Sequence, residues 1–182
     1  PARITDGNLI ATAYFYKLSL LMKKFAGLLE LEDEAENYQK QATAIADAFQ
    51  KKFYNANTKQ YGNNTATANI LPLAFGLVPE SDAKEVFKNV EKVIEIDNKG
   101  QISTGVIGTA WLMRTLCEYG RGDLAFKIAT NKTYPGWGYM VEKGATTIWE
   151  LWNGDTANPK MNSQNHVMLL GDLIIWYYEN LA

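Results

Sequence analysis

Leu9-Ile-Ala-Thr-Ala-Tyr-Phe-Tyr-Lys-Leu-Ser-Leu-Leu-Met-Lys-Lys-Phe-Ala-Gly-Leu-Leu29 is apolar on nearly every face of the helix it predicts. The segment after it, Glu34 to Phe53, is apolar on one stripe only: Ala35, Tyr38, Ala42, Ile45, Ala46, Phe49 and Phe53 line up, with Glu36, Lys40, Asp47 and Lys51 away from them. A helix apolar all round is expected to be buried on most faces, and a striped one to lie outside it, half in water. Thr5-Asp6-Gly7-Asn8 supplies capping residues for the first.

The same alternation runs down the rest of the chain. Ala66 to Leu77 is small and apolar and carries Pro72, which should kink or shorten it. Asp82 to Ile94 is striped, with Val86, Phe87, Val90 and Ile94 facing in and Lys84, Glu85, Lys88 and Glu91 facing out. Val106 to Tyr119 is mostly apolar, and Gly122 to Thr130 is short with a polar face. Val167 to Leu181 has an apolar core of Leu169, Leu170, Leu173, Ile174, Ile175 and Trp176. This pattern predicts about seven helices, inner and outer by turns, in an all-α fold.

Connections from an inner helix to an outer one are brief: Leu31 to Asp33, Val78 to Ser81, Gly120 to Arg121. They need only close a helical hairpin. The return connections, Tyr54 to Thr65, Glu95 to Gly105 and Asn131 to His166, are longer and chemically richer. In an alternating ring they emerge at one rim, beside the inner-helix N-termini, where free N–H groups and variable loops can build a site.

Totals exclude several function classes. A formal net charge of -2 with no basic cluster gives little attraction to phosphate backbones or anionic lipid, so neither nucleic acid nor membrane is an expected partner. No apolar run reaches the roughly 20 residues of a membrane span. One histidine and one cysteine, Cys117, would starve a zinc site of nitrogen and sulfur ligands, so no metal is expected. Cys117 reads as a small buried hydrophobe. The chain opens on Pro1 rather than Met, with helix-forming sequence almost at once, which suggests a fragment of a longer multidomain chain.

The chemistry gathers between Gly144 and His166. Gly144-Ala-Thr-Thr-Ile-Trp-Glu-Leu-Trp-Asn-Gly-Asp-Thr156 places Glu150 between Trp149 and Trp152, and Met161-Asn-Ser-Gln-Asn-His166 ends on the only histidine. Indole faces pack on the apolar faces of a pyranose while a carboxylate works at the anomeric carbon, so Glu150 is the first catalytic candidate. Gly138 to Val141 and Ala145 to Trp149 flank Glu142-Lys143-Gly144 with β-branched and aromatic residues, which predicts a short β-hairpin near 138–150. Extended there, Ile148, Glu150 and Trp152 would share a face. Tyr134-Pro-Gly-Trp-Gly-Tyr139 looks like a shaped platform, two glycines among three aromatics.

Gly144-Ala-Thr-Thr-Ile-Trp-Glu150, with Tyr134-Pro-Gly-Trp-Gly-Tyr-Met140 before it and Met161-Asn-Ser-Gln-Asn-His166 after it, resembles the C-terminal half of the catalytic domain of bacterial α-L-rhamnosidases of glycoside hydrolase family 78. Leu73-Ala-Phe-Gly-Leu-Val-Pro-Glu80, Ser103-Thr-Gly-Val-Ile-Gly-Thr109 and Tyr119-Gly-Arg-Gly-Asp-Leu-Ala125 are similar to that family's segments in the same order. The resemblance implies that residues 1–182 are the C-terminal half of an (α/α)6 barrel. It also implies an inverting mechanism, in which one carboxylic acid protonates the leaving oxygen while a carboxylate opposite activates water. By motif, Glu150 is the general base and His166 contacts the sugar; Trp152 and Trp137 are expected to shape the sugar pocket, with Asn162 a further substrate-binding candidate. No cofactor is implied, and the substrate is a rhamnose-containing glycoside. The general acid belongs to a motif that Pro1 to Thr65 lacks, so it is expected outside this chain. The missing N-terminal part of the barrel, or self-association, would then cover the open inner helices. For the full-length protein the resemblance favours a periplasmic or extracellular location.

Plainer readings stand beside these. Glu150 can be a structural carboxylate at a hairpin end, His166 a helix cap, and Trp152 and Trp137 core fillers. Asn162 and Asn165 can cap the helix that starts at Val167. The rival functions are a hydrolase of the same barrel acting on a different sugar, and a non-catalytic helical glycan- or protein-binding module. A solenoid is disfavoured because no fixed-period self-similarity is present.

Overall fold

The computed structural model describes residues 4–160 and 162–181, with the side chains of 168–171, and so of Leu169 and Leu170, outside the described set. Eight α-helices occur among the described residues: α1 (Gly7–Leu28), α2 (Glu32–Phe53), α3 (Ala66–Phe75), α4 (Ala83–Lys92), α5 (Val106–Glu118), α6 (Gly122–Thr130), α7 (Trp137–Glu142) and α8 (Val167–Asn180). They fall into two compact units, one ending at Asn89 and the other beginning at Val90.

In the first unit α1 and α2 form a helical hairpin. Asp6 caps α1 by accepting the Asn8 N–H at 2.8 Å. At its other end Glu30 takes a left-handed φ of 59°, and Leu31 N–H returns to Ala26 O at 2.9 Å while Glu30 N–H reaches Gly27 O at 3.2 Å. This six-to-one closure reverses the chain within three residues. Acidic Glu32, Asp33 and Glu34 open α2 and Lys51 and Lys52 end it, each sign at the favourable end of the helix dipole.

The striped helices behave as their patterns say: Ala42, Phe49 and Phe53 of α2 and Val86, Phe87, Val90 and Ile94 of the α4 region are buried. The apolar α1 differs from expectation. Leu9, Ala13, Ser19 and Ala26 are buried, but Phe15, Leu18, Met22, Phe25 and Leu29 are 42–69% exposed. The reason is geometric: α1 packs on α2 and α3, and these cover one side of it.

The observed β-hairpin is Tyr54–Asn55 paired with Gln60–Tyr61, turned by Asn55 Oδ1, which accepts the N–H groups of Asn57 and Thr58 at 3.0 and 3.3 Å. Buried Asn69 then ties the hairpin to α3, accepting the Tyr61 N–H at 2.9 Å and donating to Asn64 at 2.7 Å. Pro72 sits inside α3, which is only 10 residues long, as a shortened helix requires. Burial pushes the Tyr61 phenol up to about 12.

In the second unit α5 and α6 close like α1 and α2. Gly120 has φ 78°, Arg121 N–H returns to Leu116 O at 2.7 Å and Gly120 N–H to Cys117 O at 3.0 Å. Arg121 then gathers three carboxylates: Glu91, Glu95 at 2.8 Å and Asp123 at 3.0 Å. Their hydrogen bonds, with the Glu95 charge adding to them, hold its guanidinium pKa above the ordinary arginine value. On α8, Leu173 and Trp176 are buried, while Ile174 and Ile175 are 42% and 39% exposed.

The hairpin expected near 138–150 is not there. Trp137–Glu142 is helical with Trp137 and Met140 buried at i, i+3, the spacing of one helix face. Gly144, read from sequence as a hairpin turn, has φ 82° and ends α7: Ala145 N–H returns to Met140 O and Gly144 N–H to Val141 O, both at 2.9 Å. A left-handed glycine serves either motif, and the buried indole and thioether decide for the helix.

Glu30 and Gly120 occupy equivalent left-handed positions, and a Cβ at Gly120 meets nothing within 4 Å, so backbone preference alone separates them. Glu30→Gly should therefore raise stability by about 1 kcal/mol and Gly120→Ala lower it by a similar amount, measured by chemical denaturation.

Candidate functional site

Ala145 to His166 forms a clasp of two stretches running in opposite directions. Glu150 N–H donates to Ser163 O at 2.8 Å, and His166 N–H donates to Ile148 O at 2.7 Å. The Thr147 hydroxyl donates to Gln164 O, and Leu151 N–H to Asn162 Oδ1 at 3.0 Å. Ser163 answers Glu150 reciprocally: its N–H donates to Glu150 Oε2 at 3.0 Å. Glu150 is thus exposed to solvent yet fixed in direction, with one carboxylate oxygen held and the other meeting no hydrogen-bond partner among the described residues.

The indoles stand behind the clasp. Trp152 is 9% exposed and Trp137 3% exposed, their rings meeting edge to face at 5.3 Å and 89°. Trp152 Nε1 donates to Thr104 O at 3.1 Å, which joins the Asn131–His166 connection to the Glu95–Gly105 one. Thr104 is itself braced by Thr109, the hydroxyls 2.8 Å apart. Trp149 is also buried, packed flat against Gly154, where a Cβ would fall 2.6 Å from its ring. Gly138 is similarly fixed, since a Cβ there would lie 2.5 Å from Asn131 O. Tyr139 donates to Asp155 at 2.9 Å, and that carboxylate raises the phenol pKa above its ordinary value.

Beside the clasp lies a cavity of about 390 Å³ lined by Trp137, Met140, Val141, Ile148, His166 and Leu173 among others. Trp137 Nε1 and His166 Nδ1 are both buried without a hydrogen-bond partner. His166 occupies the N-cap position of α8 but makes no side-chain capping bond, so its imidazole is not used as a cap. Asn162 binds Leu151 instead of capping α8. Of the five residues singled out from sequence, Glu150, Asn162 and His166 share the clasp, and Trp137 and Trp152 share the packed layer behind it. Among the described residues no three His, Cys, Asp or Glu side chains cluster as a metal site.

With this geometry in place, comparison with known proteins is decisive. Residues 1–181 match the model of the bacterial α-L-rhamnosidase six-hairpin glycosidase domain. This chain belongs to that family. It is 37% identical over 98% of its length to an α-L-rhamnosidase of Formosa agariphila, of which it covers 20%. Among solved structures it is similar to the α-L-rhamnosidase of Dictyoglumus thermophilum, at TM-score 0.85 and 38% identity over 92% of this chain and 19% of that one. The Streptomyces avermitilis α-L-rhamnosidase complexed with L-rhamnose gives TM-score 0.89 at 34% identity, over 98% of this chain and 17% of that one. The rhamnosidase-family chain described here therefore spans about a fifth of the length of its relatives.

Sequence reasoning missed Ser163 and Thr104 as the groups that orient Glu150 and Trp152. Ser163 lies in the Asn-Ser-Gln-Asn run read as helix caps, and Thr104 beside a helix start that explains it equally well. Both act through backbone atoms, which no side-chain pattern marks.

Gly154→Ala should cost about 1–3 kcal/mol through the clash with Trp149 and should alter the near-ultraviolet circular dichroism of the indoles. Unchanged melting and spectrum would mean the clasp does not rest on that contact.

Proposed function

We propose that residues 1–182 contribute the general-base side of an inverting α-L-rhamnosidase catalytic domain. Glu150 activates the attacking water, and a general acid supplied from outside these residues protonates the leaving oxygen. What carries the reading is Glu150 itself: an exposed carboxylate held by Ser163 N–H, inside a chain that matches the rhamnosidase domain from residue 1 to 181. In an inverting reaction a base must point at one water and keep an oxygen free to take its proton. Glu150 Oε2 is anchored and Oε1 is available for that task.

His166 serves as a sugar contact, its unpartnered Nδ1 positioned by the main-chain bond to Ile148 O. Trp152 and Trp137 shape the sugar pocket from behind, and Asn162 holds the backbone next to the base. The partner is a rhamnose-containing glycoside. The exposed seam Phe15, Leu18, Met22, Phe25 and Leu29 recurs at alternating steps of three and four, the spacing of a helix-packing stripe. It is the face on which the rest of the catalytic domain, or a second copy of the chain, packs.

Hydrolysis of p-nitrophenyl α-L-rhamnoside separates the possibilities, with the 182-residue chain compared to a longer protein that includes upstream residues. The longer protein should turn over and release β-L-rhamnose first, seen by NMR, and Glu150→Gln in it should lower kcat by about 10²-fold or more. Turnover unaffected by Glu150→Gln would remove the base assignment, and preference for another glycoside would remove the substrate.

A further inference from the structure

The α5-facing side of α8 carries Asp172, Trp176 and Glu179, spaced i, i+4 and i+7 and so on one helix face. Two of them reach α5 directly: Trp176 Nε1 donates to Cys117 Sγ at 3.2 Å, and Arg114 Nε donates to Glu179 Oε2 at 3.1 Å. The third does not. Asp172 Oδ2 is sealed from solvent and has no hydrogen-bond partner, although Arg114 acts on it through space. Among the described residues, the polar and charged groups seen to interact across this contact are Arg114 and Cys117 from α5 and Asp172, Trp176 and Glu179 from α8. One cation faces two carboxylates and is already bonded to one of them.

We propose that Asp172 is a proton-linked positioning residue, whose carboxyl sets how firmly α8, the helix that starts at His166, is seated on α5. A neutral Asp172 leaves Arg114 and Glu179 as a balanced pair and lets the helix face close. An ionised Asp172 leaves a half-buried charge with one oxygen sealed and unbonded, which the contact relieves by opening toward water.

Burial raises the Asp172 carboxyl from its ordinary 3.8 to about 6, against the opposing pull of Arg114. The seated state thus holds a proton that the opened state releases. Its advantage is fully present below about pH 4, falls as pH rises through the interval up to about 6, and stays low above it. The consequence for catalysis rests on the proposed role of His166: the sugar contact would be held most firmly in mildly acid solution. The movement of α8 does not rest on that role.

Cys117 is the only cysteine, half-buried with its Sγ against the Trp176 indole, so a change in the rate of its reaction with 4,4′-dithiodipyridine reports loosening of the α5–α8 contact in the 182-residue chain. Thiolate formation and protonation of the reagent's pyridine together set one background pH slope common to every variant. Between pH 4 and 6.5 the wild-type rate should climb at least about tenfold beyond that slope, each unit of pKa shift being worth a factor of ten. Asp172→Asn should follow the background slope alone. Glu179→Gln releases Arg114 toward Asp172, so its excess should shrink and move to lower pH, which decides the matter even if Asp172→Asn does not fold. Equal pH profiles for wild type and Glu179→Gln, or for wild type and Asp172→Asn, would overturn the proposal. Hydrolysis assays on the longer protein bear on Glu150 and are independent of this outcome.

Discussion

A left-handed residue placed one or two steps past the end of a helix governs how this chain turns. Glu30, Gly76, Gly120 and Gly144 all have positive φ, and in each case the following N–H reaches back to a carbonyl five residues earlier: Leu31 to Ala26, Leu77 to Pro72, Arg121 to Leu116, Ala145 to Met140. The closure satisfies carbonyls that the helix end would leave bare and redirects the backbone in two or three residues. Short reversals leave length for the opposite connections. Those longer segments are the ones that carry Thr104, Trp152, Glu150 and His166.

Because long connections have little regular structure, they depend on a few directional contacts. The Trp152 indole bond to Thr104 O fixes one long loop against another, and the Glu150–Ser163 pair fixes a loop against itself. The packing between these bonds is close enough to exclude a single methyl at Gly154 or Gly138. A carboxylate exposed on such a support combines solvent access with a defined direction, which water activation needs and a flexible loop would not provide.

The helix alternation was legible because burial and helical period write directly into residue type: Val86, Phe87, Val90 and Ile94 are apolar since they are buried. Glu150 and His166 are marked as candidates by motif, and their local setting was not legible. Ser163 and Thr104 contribute main-chain atoms, Asn162, a sugar-contact candidate with a cap as the plainer reading, bonds Leu151, and Gly144 suited a hairpin turn as well as a helix end. The segment 138–150 was misread for a physical reason: β-branched and aromatic content describes a surface that packs well, and here the packing partners, Trp152 against Trp137, select the helix. Local preference ranks the options, and tertiary contact chooses between them.

Two arginines in the second unit show how surroundings decide the meaning of a charge imbalance. Arg121 faces Glu91, Glu95 and Asp123, a clear excess of acid, yet Asp123 is 70% exposed and water screens what the guanidinium leaves over. Glu95 and Asp123 are held below their usual range by Arg121, and that pair stays ionised. Arg114 faces only two acids, but one of them, Asp172, has an oxygen shut away from water and unbonded. The smaller excess is therefore the more consequential one, since a carboxylate with one oxygen sealed from water and unbonded is costly to keep ionised. That difference places the proton-sensitive element on the helix that leads from His166 and leaves the larger acidic cluster to structure alone.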